Sequence, residues 1–365
     1  LGLYQLRYLT QIPPSAAVHT SVDLAKALGH DRLSGVVNGI LRQYLRQQAD
    51  GRDPLVLPDD PIAALGIRHS YPDWLVALWQ QWLGATEADA LADWMNQPPS
   101  LDLRVHTPRA SLAQVEAAFA AAGIASRRLD PLPQALRLLS PPGSIQALPG
   151  YRDGWWTVQD ASAQWVSYLV DPQPGQVVID ACAAPGGKTA HLAALMGDQG
   201  TVWACDRTAA RLKKVQHTVK RLGLRSVQTL VADSTQLDRF TGQGDRVLVD
   251  APCSGLGTLH RHADARWRQT PASVAELAQL QRQLLDRVAT WVKPDGALVY
   301  ATCTLHPSEN EDQIAHFLAT HPDWRIDPPA PDAPLEPYIN PEGWIKLWPH
   351  RHHMDGFFMV RLKRH

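Results

Sequence analysis

The 365-residue chain is poor in cysteine and has no long apolar run. No two of its four cysteines form a C-x-x-C pair, which argues against a disulfide framework and against a cysteine-rich zinc site. No apolar stretch is long enough to cross a bilayer, and no charged-then-apolar leader opens the chain. We therefore expect a soluble, cytoplasmic protein with free thiols and with neither a membrane nor a metal ion as partner.

An excess of charge of either sign is also lacking. The formal net charge is −1, so no global basic field marks a nucleic-acid partner, and any such partner must be held by local patches. The length and the hydrophobic share of 45% predict a globular protein with two or three domains. We expect it to be a monomer.

Residue patterns predict two domains in the first part of the chain. Apolar residues at helical spacing predict an all-α domain over 1–55, which we expect to be incomplete because the chain begins at Leu1 rather than methionine. A small α+β domain is predicted over 60–145, and the proline- and glycine-rich segment 131–156 is typical of an approach to a further domain. The elements predicted for the small domain are helices at 71–84, 86–96 and 111–124 and a strand at 101–107.

Strands and helices alternate from about residue 176 onward. Apolar strands separated by helices predict a parallel sheet covered on both faces, so we expect an α/β Rossmann-like domain over 150–365. The predicted fold class is therefore multidomain: all-α, then small α+β, then Rossmann-like.

A small-residue turn lies between a strand and a helix in "VVIDACAAPGGKTAHLAAL" (177–195). Gly186 and Gly187 let the backbone approach a ligand, and the helix that follows offers unpaired N–H groups. The turn is not G-x-G-x-x-G, which weakens a dinucleotide interpretation. A P-loop is excluded as well, because Cys182 stands where its first glycine would be needed.

Four aspartates end successive predicted strands: Asp180, Asp206, Asp233 and Asp250. A single strand-end aspartate most often caps a turn or a helix. Four of them on one rim with a glycine turn favour a nucleoside-bearing cofactor, because Asp206 can accept hydrogen bonds from both ribose hydroxyls.

Cys253 and Cys303 follow the fourth and fifth strands, so we expect them to lie near each other beside the reactive end of the cofactor. A free cysteine is most often a small buried hydrophobe. Two together suit methylation of cytosine C5, which needs a thiolate to add to C6 and a second group to help resolve the adduct. Asp250 could hold the N3 edge protonated. The residues alone do not rank the two thiols.

Three long motifs, "DACAAPGGKT", "DAPCSGLGT" and "YATCTLHPSENE", resemble the S-adenosylmethionine motif and the two cysteine motifs of the RNA cytosine-5 methyltransferases. With "VQDASAQWVSYLVDPQPGQ" (158–176) and "DGFFMVRLKR" (355–364), the similarity covers about 150–365. The segment "VHTSVDLAKALGHDRLSGVVNGILRQ" (18–43) is similar to the NusB-like domain of the RsmB/Sun (Fmu) family, whose substrate is a cytidine of small-subunit (16S) ribosomal RNA.

The resemblance implies S-adenosyl-L-methionine as cofactor, Cys303 as nucleophile and Cys253 as the thiol that assists release of the methylated base. It implies cofactor contacts from Asp206, Asp233, Asp250 and the 182–188 loop, which consists of Cys182, Ala183, Ala184, Pro185, Gly186, Gly187 and Lys188. It also implies that the all-α domain is NusB-like.

The segment "TLHRHADARWR" (258–268) follows the first cysteine motif and combines cations with an aromatic ring, which suits phosphate contact and base stacking. An ordinary solvated basic loop has a similar composition. The predicted RNA contacts are Arg261, His262, Arg266, Trp267 and Arg268.

Three alternatives stay open at this stage. The same chemistry could act on transfer RNA or on large-subunit ribosomal RNA. A noncatalytic RNA-binding protein could keep the fold as a scaffold, and a nicotinamide-dependent oxidoreductase could use a similar sheet, although the missing G-x-G-x-x-G argues against it.

Overall fold

The computed structural model of the chain describes residues 1–53, 55–140, 143–330 and 333–365. The chain divides into two compact units, residues 1–68 and residues 69–365. The helices that begin in the first unit are α1 (Gly2–Tyr8), α2 (Pro14–Ala27), α3 (Ser34–Ala49) and α4 (Pro61–His69). The predicted all-α character of this region is confirmed, whereas the predicted boundaries 1–55, 60–145 and 150–365 stay predictions.

Close helix packing in the first unit depends on Gly2. A β-carbon on Gly2 would lie 2.5 Å from the Ser21 hydroxyl and 2.8 Å from a Leu41 methyl, so α1 approaches α2 and α3 more closely than a larger residue allows. Ala17 and Val18 of α2 and Tyr44 of α3 are buried in the same unit.

The second unit contains two sheets. Its helices are α5 (Asp73–Trp94), α6 (Leu112–Ala121), α7 (Ala161–Val170), α8 (Gly187–Leu195), α9 (Ala209–Leu222), α10 (Ala265–Arg268), α11 (Pro271–Ala289), α12 (Glu311–Thr320) and α13 (Pro349–His352). Its strands are β1 (Leu101–Val105), β2 (Ser126–Arg128), β3 (Ala135–Leu138), β4 (Trp156–Val158), β5 (Val177–Asp180), β6 (Thr201–Asp206), β7 (Val227–Val231), β8 (Gly244–Asp250), β9 (Val292–Thr302), β10 (Trp324–Ile326), β11 (Ile345–Leu347) and β12 (Phe357–Arg364).

The predicted helices at 71–84 and 86–96 form one element, α5, that breaks at Gly84. This glycine has φ 77° and ψ 170°, which lies outside the helical region. Glycine adopts this conformation at little cost in free energy because it has no β-carbon. The two predicted helices can therefore run in different directions within one continuous run of residues.

The small antiparallel sheet has the strand order β2-β3-β1-β4. Leu103 of β1 pairs with Leu136 of β3 on one side and with Val158 of β4 on the other. Its core includes Phe119 of α6 and Trp156 of β4. The interpretation of 131–156 as an approach segment was wrong in part, because β3 lies inside it. With only four residues, β3 is too short to be recognised as a strand among the neighbouring prolines.

The large sheet has the order β10-β12-β9-β8-β5-β6-β7, with β11 pairing outside this path with β12. Strands β5 to β9 run parallel, while β12 is antiparallel to β9 and β10 is antiparallel to β12. The expectation of a purely parallel sheet is thus corrected to a mixed sheet with an antiparallel edge. The Rossmann-like class itself is confirmed.

The chain reverses direction across the large sheet at β5. From β5 it proceeds outward through β6 to β7 and then returns to β8 on the other side of β5. At such a switch point the carboxyl ends of two adjacent strands diverge and leave a crevice for a ligand. The apolar residues on the two faces of the sheet form two separate cores, one with α7 and α8 and one with α11 and α12.

Side-chain caps mark where the helices of this unit begin. Asp160 caps α7 by accepting a hydrogen bond from the Ser162 N–H. Thr270 and Ser273 form a reciprocal capping box at α11, in which Pro271 occupies the first turn. None of the helices in the described part of the chain combines the length and apolar character that a bilayer crossing needs.

Replacement of Trp291 should destabilise the second unit strongly. Trp291 is fully buried between α11 and β9, packs against Phe240 and donates its indole N–H to the Leu237 carbonyl. We expect Trp291→Ala to lower the free energy of unfolding by about 3–5 kcal/mol in urea denaturation. The exposed Trp267 provides the control, and Trp267→Ala should change it by less than about 0.5 kcal/mol. Equal losses in both variants would contradict this account of the core.

Candidate active site

The glycine turn between β5 and α8 is packed against the neighbouring helix α9. Gly186 has φ 105°, and a β-carbon on it would lie 2.9 Å from the Val215 α-carbon. The backbone conformation and the close approach therefore both require glycine at this position. A β-carbon on Gly187 would meet only ordinary contacts, the nearest at 3.7 Å. The first turn of α8 consequently has unpaired N–H groups next to a tightly packed loop.

A cavity of about 100 Å³ lies at the carboxyl ends of β5, β6 and β7. Asp206 and Asp233 line it together with Cys182. Asp206 is buried and accepts a hydrogen bond from the Thr208 N–H at 2.8 Å. Hydrogen bonds from the side chain and backbone of Thr235 hold the pKa of Asp233 below its ordinary value. Two aspartate side chains therefore line a pocket whose other walls are largely apolar.

The residues of this pocket fit the nucleoside end of S-adenosyl-L-methionine. Asp206 offers carboxylate oxygens to ribose hydroxyls at the end of β6. Pro252, Leu280 and Leu284 supply apolar surface suited to a purine ring. Sequence analysis missed Arg211 on α9, whose guanidinium donates to the Ala184 carbonyl at 2.9 Å and lies 3.2 Å from Asp206.

A second cavity, of about 450 Å³, adjoins the first and contains both thiols. Cys182, Arg211 and Pro252 line both cavities, so the two are contiguous. The Sγ atoms of Cys253 and Cys303 lie 3.3 Å apart, close enough to act on one atom of a substrate. The prediction that the two strand ends bring the thiols together is matched by this distance.

Asp250 and Lys188 form an ion pair in the same cavity. The Lys188 Nζ lies 2.7 Å from Asp250 Oδ2 and 4.9 Å from the centre of the Phe357 ring. Burial alone would lower the pKa of Lys188, but the attraction and hydrogen bond of Asp250 outweigh it, and the pKa of this amine is raised. The site therefore contains a protonated amine beside a carboxylate, close to the sulfur of Cys303.

Cys253 keeps its proton. A hydrogen bond with Cys303 and burial together raise the pKa of the Cys253 thiol well above its ordinary value. A thiol of this kind is a poor nucleophile but can donate its proton to a neighbouring atom that becomes basic during a reaction.

Glu309 joins the two loops that carry the thiols. Its buried carboxylate accepts hydrogen bonds from the N–H and the hydroxyl of Ser254, from Gln281 and from Thr304. Ser254 follows Cys253 and Thr304 follows Cys303, so one carboxylate is bonded next to both thiols. Burial raises the pKa of Glu309, although each of these hydrogen bonds acts in the opposite direction. Sequence analysis missed this residue because nothing in its motif distinguishes it from a helix-capping glutamate.

Two glycines fit the last strand against the Cys303 loop. A β-carbon on Gly257 would lie 2.1 Å from the Gly356 carbonyl oxygen and 2.8 Å from the Cys303 carbonyl oxygen. The N–H of Gly257 donates to Cys303 at 3.0 Å, and that of Gly356 donates to Gly257 at 2.8 Å. These contacts explain why glycines occur in "CSGLGT" and in "DGFF".

Asp180 does not face the crevice with the other strand-end aspartates. It is buried, and it accepts a hydrogen bond from the Thr189 hydroxyl at 2.7 Å. Burial raises its pKa to about 7. The expectation that all four aspartates surround the ligand was wrong at this position, because the side chain turns inward beneath the glycine turn.

Two of the predicted RNA contacts are engaged within the protein. Arg266 is buried, donates to the Asn96 side chain at 2.9 Å and stacks over Tyr71, so its position does not support the prediction that it contacts RNA. Arg261 lines the thiol cavity but bonds Asp355 and Asp160.

The remaining predicted RNA contacts lie nearer to solvent. Arg268 is paired with Asp264 on the surface. His262 lines the thiol cavity, and Trp267 is 59% exposed. Of the predicted cofactor loop, Cys182, Ala184 and Lys188 line the thiol cavity, while Ala183 is buried and Pro185 is exposed.

The fold and this pair of contiguous cavities define a Rossmann-like methyltransferase. The family model "16S rRNA methyltransferase RsmB/F" matches residues 167–363, a ferredoxin-like domain model of the same group matches 71–146, and the NusB family model matches 1–46. The chain belongs to the RsmB/F family of 16S rRNA methyltransferases. This membership confirms the resemblance on sequence motifs and the expected cofactor, S-adenosyl-L-methionine.

The relatives extend over the whole chain. A probable ribosomal RNA small subunit methyltransferase B of Synechocystis is 50% identical over 100% of this chain and 82% of its own length. A probable enzyme of the same name from Bacillus subtilis is 35% identical over 100% of this chain and 81% of its own. The crystal structure of a methyltransferase homolog from Pyrococcus horikoshii superposes with a TM-score of 0.73 at 29% identity, covering 84% of this chain and 100% of that one.

The raised pKa of Asp180 should make the protein less stable as the pH rises. An unfolded aspartate has a pKa of about 3.9, so between about pH 4 and pH 7 the folded protein holds a proton that the unfolded chain has lost. The contribution of Asp180 to the free energy of unfolding therefore falls through this window. We expect Asp180→Asn to remove this fall, so that the variant gains about 2–4 kcal/mol relative to the parent protein between pH 4.5 and pH 7.5 in urea denaturation.

The exposed Asp59 serves as the control for this measurement. Asp59→Asn should leave the pH dependence of stability unchanged. A parallel pH profile for Asp180→Asn and the parent protein would contradict the buried, protonated state of Asp180.

Proposed function

We propose that this protein methylates C5 of a specific cytidine in 16S ribosomal RNA through a covalent bond between Cys303 and C6. The observation that carries the proposal is the 3.3 Å separation of Cys253 and Cys303 in a cavity contiguous with the cofactor pocket. Membership in the RsmB/F family supports the choice of small-subunit ribosomal RNA. A ribosomal RNA substrate in turn favours a cytoplasmic location.

The linings of the two cavities support the cofactor contacts that the resemblance implies. Asp206 would accept hydrogen bonds from the ribose hydroxyls of the cofactor, and Asp233 would accept hydrogen bonds from its nucleoside. The turn from Cys182 to Lys188 would hold the amino-acid end of the cofactor near Asp250. S-adenosyl-L-methionine, when bound, supplies the methyl group that C5 accepts.

Cys303 is assigned as the nucleophile because its motif resembles the second cysteine motif of the RNA cytosine-5 methyltransferases, and the raised pKa of the Cys253 thiol favours the same ranking. Cys303 Sγ adds to C6 of the pyrimidine, and the electron density at C5 rises as the C5–C6 double bond is lost. After C5 has gained its methyl group, its remaining proton passes to water and the C6–S bond breaks. The thiol of Cys253, whose Sγ lies 3.3 Å from the bonded sulfur, is placed to give its proton to the departing Cys303 sulfur, and it regains a proton from water.

Lys188 and Asp250 can act together at the N3 edge of the base. A proton held between Lys188 Nζ and Asp250 Oδ2, which are 2.7 Å apart, can be delivered to N3 as the thiolate adds to C6. It returns to the pair when the adduct collapses. The Lys188 amine lies in the same cavity as Cys303, so its positive charge is close to the reacting base.

The target base must leave its stack to reach the thiols. Trp267 offers an exposed aromatic face, and His262 lies at the thiol cavity, so we propose these two residues as contacts of the extruded nucleotide and its neighbours. Arg261 would act indirectly, by holding Asp355 beside the cavity.

The two thiols should give opposite results when each is replaced. Cys303→Ala should abolish both methyl transfer from radiolabelled S-adenosyl-L-methionine and the covalent protein–RNA complex. Cys253→Ala should still form the complex but release it slowly, so that a denaturant-resistant band accumulates on a gel. Cys205→Ala, which changes a fully buried thiol elsewhere in the sheet, should retain activity. Accumulation of the band in Cys303→Ala instead would reverse the two roles.

Removal of the Lys188 charge should slow the chemical step. Lys188→Met leaves Asp250 unpaired, and we expect kcat to fall by about 10²- to 10⁴-fold with a much smaller change in the KM for RNA. Lys214→Met on the exposed side of α9 provides a matched control that should not alter either constant. A change confined to KM would remove Lys188 from the proton transfer at N3.

The identity of the target should be visible in cells. Bisulfite sequencing of total RNA from a strain that lacks this protein should show the loss of a single 5-methylcytidine in 16S ribosomal RNA. Loss of a site in transfer RNA or in large-subunit ribosomal RNA would keep the chemistry and change the substrate.

A further inference from the structure

A third cavity, of about 190 Å³, lies where the small sheet meets the methyltransferase fold within the second unit. The small sheet contributes β2 and β3, the methyltransferase fold contributes α7, and the segments before and after α13 close the cavity. Its main lining residues are Arg127, Arg137, Trp165, Tyr338, His353 and Met354. None of them belongs to the cofactor pocket or to the thiol cavity.

The cavity has an aromatic wall. The rings of Trp165 and Tyr338 lie 5.8 Å apart, and the Tyr338 ring also meets His352 edge-on at 5.6 Å. Trp165 is fully buried, whereas Tyr338 is partly exposed and can present its face to an incoming planar group. Such surfaces stack nucleic-acid bases without distinguishing their sequence.

The charges around the cavity favour an anion. Arg127 is exposed and has no hydrogen-bond or ion-pair partner among the described residues. Arg137 uses Nε and Nη2 to bind the buried Asp102, so that Asp102 is already neutralised. Asp130 is the one carboxylate among the residues that line the cavity as described. A phosphate at this position would meet an unpaired guanidinium, the group that best matches its geometry.

The backbone at His353 is held in an uncommon conformation. His353 has φ 54° and ψ 37°, in the left-handed region that residues other than glycine seldom adopt. Its side chain is exposed at the edge of the cavity and has no ion pair among the described residues. Strain of this kind costs about 1–3 kcal/mol and occurs preferentially at binding sites.

The cavity lies one residue away from the thiol cavity along two separate chain segments. Met354 lines this cavity and Asp355 lines the thiol cavity. Ala161 lines this cavity, and the preceding Asp160 holds Arg261 at the thiol cavity. The two cavities therefore adjoin the same two chain segments, and this adjacency favours an RNA strand that occupies both.

We propose that this cavity is a second nucleotide subsite, in which Tyr338 stacks the base of a nucleotide that flanks the target and Arg127 binds its phosphate. The subsite deepens the proposed function and rests on it, since it assumes an RNA strand that passes through the thiol cavity. It gives the enzyme a contact with single-stranded RNA outside the chemical centre.

Arg127 and Arg128 make a matched pair for the test. They are adjacent on β2 and both exposed, but Arg128 is paired with Glu116 on α6. The assay is filter binding of the full-length protein to a 16S ribosomal RNA transcript over a range of salt concentrations. Arg127→Ala should weaken binding about fivefold and reduce the slope of log affinity against log salt by about 0.7, which corresponds to one lost phosphate contact on a single strand.

The stacking contact of Tyr338 with the base should affect the RNA affinity but not its salt dependence. Tyr338→Leu should weaken binding about tenfold and leave the salt slope unchanged. Arg128→Ala should change neither quantity. Calorimetric titration with S-adenosyl-L-methionine should give the same affinity for every variant, which verifies that each is folded. Equal effects of Arg127→Ala and Arg128→Ala on RNA binding would overturn the subsite, because they would indicate only general surface charge.

Failure of the subsite and failure of the proposed function are distinguishable in the Cys253→Ala background. If Cys253→Ala alone forms no covalent complex with the transcript, the proposed chemistry is wrong. If the complex forms and half-saturates at the same RNA concentration with and without Arg127→Ala, the chemistry stands and the subsite is refuted. A higher RNA requirement only in the Arg127→Ala protein supports both.

Discussion

The site depends on one buried carboxylate that joins two loops distant in sequence. Glu309 accepts hydrogen bonds from Ser254 and Thr304, the residues that follow the two thiols, and it has no cation among its hydrogen-bond partners in the described chain. A buried carboxylate costs free energy unless several donors surround it, so the loops are stable only when they approach it together. The short distance between the two sulfurs is thus a consequence of the hydrogen bonds that both loops make with Glu309.

The topology of the large sheet explains why these loops meet the cofactor pocket at all. Because β8 and β9 both lie on one side of β5 and run parallel to it, their carboxyl ends open on the same rim as the glycine turn. The antiparallel β12 then pairs along β9 and places Gly356 against Gly257, where no side chain would fit. The mixed edge of the sheet therefore closes the thiol cavity, which a purely parallel sheet would leave without a wall.

Sequence patterns predicted the fold class, the glycine turn and the pairing of the thiols, because each rests on local spacing and on strand order. They did not predict Asp180 correctly, since the direction of a strand-end side chain depends on how the next helix packs over it. Arg266 resembles a surface cation in its segment but is buried against Tyr71, a contact across almost 200 residues that no local pattern encodes. Arg211 was missed for the converse reason. A basic helix face has the same sequence pattern whether or not one of its side chains contacts a neighbouring loop.

A last constraint ties the small sheet to the cofactor turn. Arg104 of β1 is buried, and its guanidinium donates to the Gly187 carbonyl at 2.7 Å and to the Gln159 side chain. Burial lowers its pKa to about 9, yet no carboxylate is among its hydrogen-bond partners in the described chain. A displacement of the small sheet would break the hydrogen bond between Arg104 and the first turn of α8. This would cost free energy, because the buried guanidinium would lose one of the few dipoles that stabilise its charge. An RNA strand held at the proposed subsite would therefore contact a sheet that is bonded directly to the first turn of α8, next to the proposed cofactor pocket.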